Sequence, residues 1–81
     1  MTWNYRVIRQ IHKSRFGVSV SYHVHEVHYD GDHRPVSWSS DPVAPMGETL
    51  AELTDELIRF KAACRKPILE VIDGELREVQ L

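Results

Sequence analysis

Gly-Glu-Thr-Leu-Ala-Glu-Leu-Thr-Asp-Glu-Leu-Ile-Arg-Phe-Lys-Ala-Ala-Cys, residues 47–64, is the stretch that decides the fold of this chain. Its apolar residues recur at spacings of three and four, which places them on one stripe of an α-helix. The stripe consists of Leu50, Leu53, Leu57, Phe60 and Cys64. It must pack on another element, and the β-rich first half of the chain is the only candidate. On this stripe Cys64 is predicted to be a buried, inert thiol.

The ends of the helix are marked in the sequence. Thr49 and Glu52 match the pattern of a capping box, in which each residue satisfies a free backbone amide of the first turn. Pro67 cannot continue a helix because it lacks an amide hydrogen. The sequence therefore predicts one helix between these two signals.

Alternation of apolar and polar residues predicts three strands before the helix. The first covers residues 3–12, and a short third strand covers residues 36–39. In the second strand the apolar residues stand at even positions up to Val24 and at odd positions from Val27. A strand changes face only if a residue is inserted, so we predict a β-bulge at His25–Glu26.

A hairpin is predicted after the helix. Residues 68–72 have the composition of a strand, and Asp73-Gly74 is typical of a two-residue hairpin turn. Pairing around this turn gives three compatible cross-strand pairs. They are Val71 with Leu76, Glu70 with Arg77, and Ile68 with Val79.

The predicted fold class is α+β. It comprises a three-stranded antiparallel meander, one helix packed on one face, and a C-terminal strand or hairpin, in the order β-β-β-α-β(-β). Residues 68–72 are expected to return beside the first strand and parallel to it, through a right-handed crossover. An 81-residue chain is too short to divide its core, so residues 1–81 form a single domain.

Composition excludes several classes of protein. Charged residues make up 27% of the chain and apolar residues 42%, values near the globular average. No apolar run approaches the ~20 residues that span a bilayer, and the N-terminal residues lack the apolar core of a signal peptide. A single cysteine agrees with a reducing compartment. We therefore expect a cytoplasmic protein.

Charge is distributed unevenly along the chain. Residues 1–40 contain five Lys or Arg, three acidic residues and all five histidines, whereas residues 41–81 contain five Lys or Arg and nine acidic residues. An anionic partner is therefore expected to meet the sheet. The sheet face that the helix leaves open carries the candidate binding residues Arg6, His23, His25 and His28.

The histidines do not have the spacing of a metal site. Zinc requires three or four ligands that converge at about 2.0–2.3 Å, whereas alternate side chains on a strand stand about 6–7 Å apart and parallel. We therefore predict no metal site and no cofactor. Serines alternate along the same strands, but no nucleophile elbow or Gly-rich loop accompanies them. The sequence thus predicts no enzymatic activity.

Several blocks of the sequence, in this order, resemble a group of small bacterial proteins of unknown function. The blocks are Trp3-Asn4-Tyr5-Arg6-Val7-Ile8, His25-Glu26-Val27-His28-Tyr29-Asp30, Trp38, Asp41-Pro42-Val43, Gly47-Glu48-Thr49-Leu50 and Lys66-Pro67-Ile68-Leu69. The order of strands and helix is also similar to the N-terminal domain of HicB-like antitoxins. In that family the domain binds a small RNase toxin, and a separate C-terminal segment binds DNA.

We interpret the chain as a small bacterial non-enzymatic protein-interaction domain, antitoxin-like in architecture. The expected partner is a protein of unknown identity, with no membrane, and the chain is expected to be a monomer or a weak homodimer through a sheet edge. The alternative is an RNA- or DNA-binding module that uses the open sheet face, although a net charge of −2 argues against tight sequence-independent binding. A remote alternative is metal binding through the strand histidines.

Overall fold

The computed structural model describes residues 2–80 as an α+β structure with one helix and a mixed five-stranded sheet. The elements are β1 (Thr2–Ser14), β2 (Gly17–Tyr29), β3 (Pro35–Trp38), α1 (Leu50–Ala63), β4 (Ile68–Ile72) and β5 (Glu75–Val79). The strand order is β3-β2-β1-β4-β5, with β4 parallel to β1 and the other neighbours antiparallel. The meander and the parallel return of β4 are confirmed, and the optional fifth strand is present.

β1 and β2 form one long hairpin without a break. Their pairing runs from Thr2 opposite Tyr29 to Ser14 opposite Gly17 with no inserted residue, so the predicted bulge at His25–Glu26 is wrong. The apolar residues change parity because this sheet buries side chains on both of its faces, not on one. The register shift that does occur lies between β2 and β3, at His28/Tyr29.

The face opposite the helix contains the main core. Ile8, Val27, Leu69 and Leu76 are buried together there, and Tyr29 and Trp38 pack against them. The sheet curls around this cluster, which brings the edge strands β3 and β5 close to each other. The expectation of an open face is therefore wrong for the part of the sheet around this core.

α1 packs on the other face through β1. The Tyr5 and Phe60 rings meet edge to face with centroids 4.9 Å apart, and the Tyr5 hydroxyl donates a hydrogen bond to Glu56 Oε1. Burial raises the pKa of Tyr5 to about 12, and the hydrogen bond to Glu56 and its negative charge act in the same direction. Ala63 is the buried residue of the helix.

The predicted helix stripe is only partly covered. Leu53 and Phe60 are half-buried, whereas Leu50 and Leu57 are exposed. Cys64 is exposed as well, because it caps the end of α1 instead of lying within its packed face. The prediction that Leu50, Leu57 and Cys64 are buried is therefore wrong for the isolated chain.

Local signals at the turns and caps are confirmed. Thr49 Oγ1 accepts a hydrogen bond from Glu52 N at 3.1 Å, while the Glu52 carboxylate accepts one from Glu48 N instead of Thr49 N. Asp73 and Gly74 both have positive φ, 53° and 80°, as a type I′ turn requires. The register of β4 with β5 is the one that the sequence predicts.

Candidate functional site

The outer part of the β1–β2 hairpin, residues 10–23, extends beyond the rest of the sheet, and we call it the hairpin arm. β4 pairs with β1 at Ile8 and Arg9, and β3 pairs with β2 over residues 27–29. Within the described range 2–80, the two strands of the arm therefore pair only with each other. Each of the two strands has 13 residues and is about 43 Å long. The hairpin therefore accounts for the 44 Å longest dimension of the molecule.

One side of the arm is apolar, and we call it the arm apolar face. It consists of Ile11, Val18, Val20 and Tyr22, and Lys13 lies on the same side at the tip of the arm, opposite Val18. By register these side chains share the sheet face of Tyr5, which is the face that α1 packs on. The exposed fractions of the four apolar residues are 46%, 66%, 48% and 49% in that order. Leu50, Leu57 and Ile58 add exposed apolar surface on the helix.

The helix is too short to cover this face. α1 has 14 residues and is therefore about 21 Å long, half the length of the strands beneath it. The sequence predicts that Val18, Val20 and Tyr22 point inward, and they do lie on the helix side, but they are exposed and no element among residues 2–80 covers them. Comparing the two lengths would have revealed the exposed arm from the sequence.

The opposite side of the arm is polar. His12 Nε2 lies 2.9 Å from Ser21 Oγ, and His23 Nε2 lies 3.2 Å from the same oxygen. A serine beside a histidine is the start of a nucleophilic dyad, but activation also needs a group that orients the histidine. In the described part of the chain no carboxylate is hydrogen-bonded to either ring. The arrangement therefore serves as a hydrogen-bonded polar surface.

The four predicted binding residues do not share one open surface. Arg6, His23 and His25 lie on the face opposite the helix, whereas His28 lies on the helix face beside Trp3, with ring centroids 6.4 Å apart. Arg6 and His25 are only 8% and 2% exposed. The expectation that the four residues form one stripe is wrong because no bulge returns His28 to that face.

Arg6 holds several elements together. One guanidinium nitrogen donates to Tyr29 Oη at 3.1 Å, and another donates to the Pro67 carbonyl at 2.7 Å and lies 3.8 Å from the Glu78 carboxylate. Tyr29 Oη in turn donates to Asn4 Oδ1 at 2.7 Å. These contacts tie β1 to β2, to the residue that precedes β4, and to β5.

His25 fastens the segment that follows β3. Its Nδ1 lies 2.9 Å from the Ser39 carbonyl oxygen, so the proton of this hydrogen bond is on Nδ1. Ser39 Oγ accepts a hydrogen bond from Glu26 N at 3.2 Å. His25 Nε2 is buried and has no partner among the described residues. The ring therefore occupies a position that an external phosphate cannot reach.

A shallow cleft of about 380 Å³ opens where β1 and β4 separate. Its lining includes Gln10, His12, His25, Trp38 and Glu70. Over residues 2–80 no three His, Cys, Asp or Glu side chains come together in a way that could hold a metal ion. The cleft offers scattered polar groups without a convergent donor set.

The molecule has more surface than a monomer of its mass. Its accessible area is 6159 Å², whereas a folded monomer of 9.4 kDa has about 5,000 Å². Its radius of gyration is 14.0 Å, against about 12 Å for a compact chain of this length. The arm accounts for this shape, because it extends the hairpin without a covering layer.

In residues 2–80 no helix is both long and apolar enough to cross a membrane. Comparisons of the chain with protein-family models, with curated proteins and with solved structures found no match. The resemblance to HicB-like antitoxins stays a prediction.

Proposed function

We propose that this chain is a cytoplasmic, non-enzymatic protein-interaction domain, antitoxin-like in architecture, that binds through the arm apolar face and the exposed apolar side of α1. The observation that carries the proposal is the exposure of four large apolar side chains on one face of the arm. Contiguous exposed apolar surface of this kind marks interaction sites in proteins that are otherwise well packed.

The sequence itself favours a covered surface here. Leu50 and Leu57 belong to a regular apolar stripe, and Val18, Val20 and Tyr22 belong to a regular apolar strand face. A pattern of this length is expected where side chains are buried. A partner that covers both would account for the part of the pattern that the isolated fold leaves exposed.

Nucleic-acid binding has less support. That alternative uses five side chains as phosphate contacts, namely Arg6, His12, His23, His25 and His28. Arg6 and His25 are buried and bonded to other parts of the chain, whereas His12 is exposed. His23 is partly exposed, but it lies beside the serine of the polar side of the arm. The basic residues that remain exposed on the arm are Lys13 and Arg15 at its tip.

Site-specific photocrosslinking tests the proposal. A photoreactive amino acid at Val18 should give protein adducts in cells that express the chain, because this residue is the most exposed of the arm apolar face. The matched control is Ser19, which is also exposed but lies on the polar side. Equal adducts from both positions, or none from Val18, would count against the proposal. Nuclease-sensitive adducts from Ser19 would favour the nucleic-acid alternative.

A further inference from the structure

We infer that a second copy of this chain covers the apolar surface, in a two-fold symmetric dimer whose arms lie antiparallel with their apolar faces in contact. The inference rests on the proposed function, since it uses the same surface. It differs from a dimer through a sheet edge, because here side chains and not backbone groups make the contact.

The area agrees with a homodimer. Each copy exposes roughly 1,100 Å² more than a typical monomer of its mass. Two copies that bury this excess form an interface of about 2,200 Å², which lies within the range of obligate homodimers. Such interfaces are also more apolar than transient ones, as the residues of this surface are.

The arm apolar face is complementary to itself. Val18, Val20 and Tyr22 follow one another at alternate positions of β2, with Ile11 opposite Val20. A two-fold axis near Val20 places Val18 of one copy against Tyr22 of the other, so a small side chain meets a large one. A two-fold interface requires this match, because both copies present the same patch.

Charge supports the antiparallel direction. Residues 39–43 continue along β2 toward the arm, with Val43 N donating to Val24 O at 2.9 Å, and α1 then returns to Tyr5. The beginning of α1 therefore lies on the arm side of the molecule, and it carries the acidic residues Glu48, Glu52 and Asp55. In an antiparallel pair the basic tip of each arm, Lys13 and Arg15, points toward this acidic segment of the other copy.

Sedimentation equilibrium of the full chain tests the inference. The wild type should have twice the 9.4 kDa mass of one chain at 100 µM. Val20→Glu should raise the dissociation constant at least 100-fold, whereas Ser19→Glu, with the same charge change on the polar side, should leave it unchanged. Circular dichroism should show that both variants are folded. If Val20→Glu is unfolded, Val18→Glu replaces it, because Val18 is more exposed.

A charge exchange tests the direction of the arms. Arg15→Asp and Asp55→Arg should each weaken the dimer several-fold, and the double variant should recover wild-type affinity, because the two residues would attract each other across the interface. Failure to recover would overturn the antiparallel arrangement.

Two further outcomes separate the inference from the proposed function. A wild type that is monomeric at 1 mM would overturn the dimer. If Val18 then still crosslinks to another protein, the proposed function stands without it. A dimer that Val20→Glu leaves intact would also overturn the inference, because the contact would lie elsewhere, for example at a sheet edge.

Discussion

The two halves of the β1–β2 hairpin belong to the same two strands and share one continuous register, but they differ in burial. The inner half, residues 2–9 with 24–29, contains the buried residues Arg6, Val7, Ile8, His25 and Val27. The arm contains no buried residue among the described positions 10–23. Burial differs because β3 and β4 pair with the inner half and α1 packs on it, whereas none of these three elements extends over the arm. The position of a residue along a regular strand thus determines which side it faces, whereas its burial depends on what lies above that side.

The largest expected effect comes from the core of the inner half. Leu69 is almost completely buried against Ile8 and Val27 on the concave face. Leu69→Ala should lower the free energy of unfolding by about 2–5 kcal/mol, because it removes apolar contacts and leaves a cavity. Urea denaturation followed by tryptophan fluorescence measures it. The control is Val71→Ala in the same strand, where the side chain is half-exposed and the loss should be under about 1 kcal/mol.

A matched pair of valines in β2 compares the two halves directly. Val27 is fully buried in the inner half, and Val20 is half-exposed in the arm. Val27→Ala should lower the free energy of unfolding by about 2–3 kcal/mol at any protein concentration, because it removes two buried methyl groups and leaves a cavity. Val20→Ala should cost under about 0.5 kcal/mol in dilute monomer.

The cost of Val20→Ala should grow with protein concentration if a second copy covers the arm, because association stabilises the folded state by mass action. Denaturation at 1 µM and at 100 µM measures this dependence. Equal costs for the two valines in dilute solution would mean that the arm is packed within one chain, and the contrast between the halves would be lost.

Much of this fold follows from local patterns in the sequence. The Asp73-Gly74 turn fixes the register of β4 with β5, and Thr49 fixes the start of α1, because each signal acts within a few residues. The face of His28 and the burial of His25 could not be predicted in this way. They depend on the curl of the sheet, which buries one face, and on α1, which covers the other. Because both faces bury side chains, apolar residues can change from even to odd positions along a regular strand.

The surface that we propose as the binding site does not follow from the sequence either, for a related reason. Polar residues on a supposedly open face were the natural candidates, yet Arg6 and His25 act as internal connectors. The surface that we propose consists of residues expected to be buried, among them Val20 and Leu57. An apolar sequence pattern indicates that a surface is buried, but it does not indicate whether the same chain or a partner buries that surface.

A smaller effect than that of either core substitution is expected where α1 packs on the inner half. Tyr5→Phe removes the hydrogen bond to Glu56 and should lower the free energy of unfolding by about 1 kcal/mol at pH 8. Glu56 keeps its other contact, with Arg59 at 3.1 Å, in the variant. Tyr22→Phe in the arm is the control, and in dilute monomer it should cost under about 0.5 kcal/mol, because that side chain is half-exposed and water screens its contact with Arg9.

The effect of Tyr5→Phe should depend on pH. The folded state holds the pKa of Tyr5 at about 12, above the value of 10.0 for a free tyrosine, because burial and Glu56 favour the protonated phenol. The stability that Tyr5 contributes is therefore fully present below pH 10 and is lost as the pH rises from 10 to 12. The difference in unfolding free energy between wild type and Tyr5→Phe, measured by urea denaturation at intervals from pH 8 to 12, should shrink over that window. The ring contact with Phe60 is common to both proteins and cancels in this difference. A difference that stays constant would therefore show that folding does not raise the pKa of the Tyr5 hydroxyl.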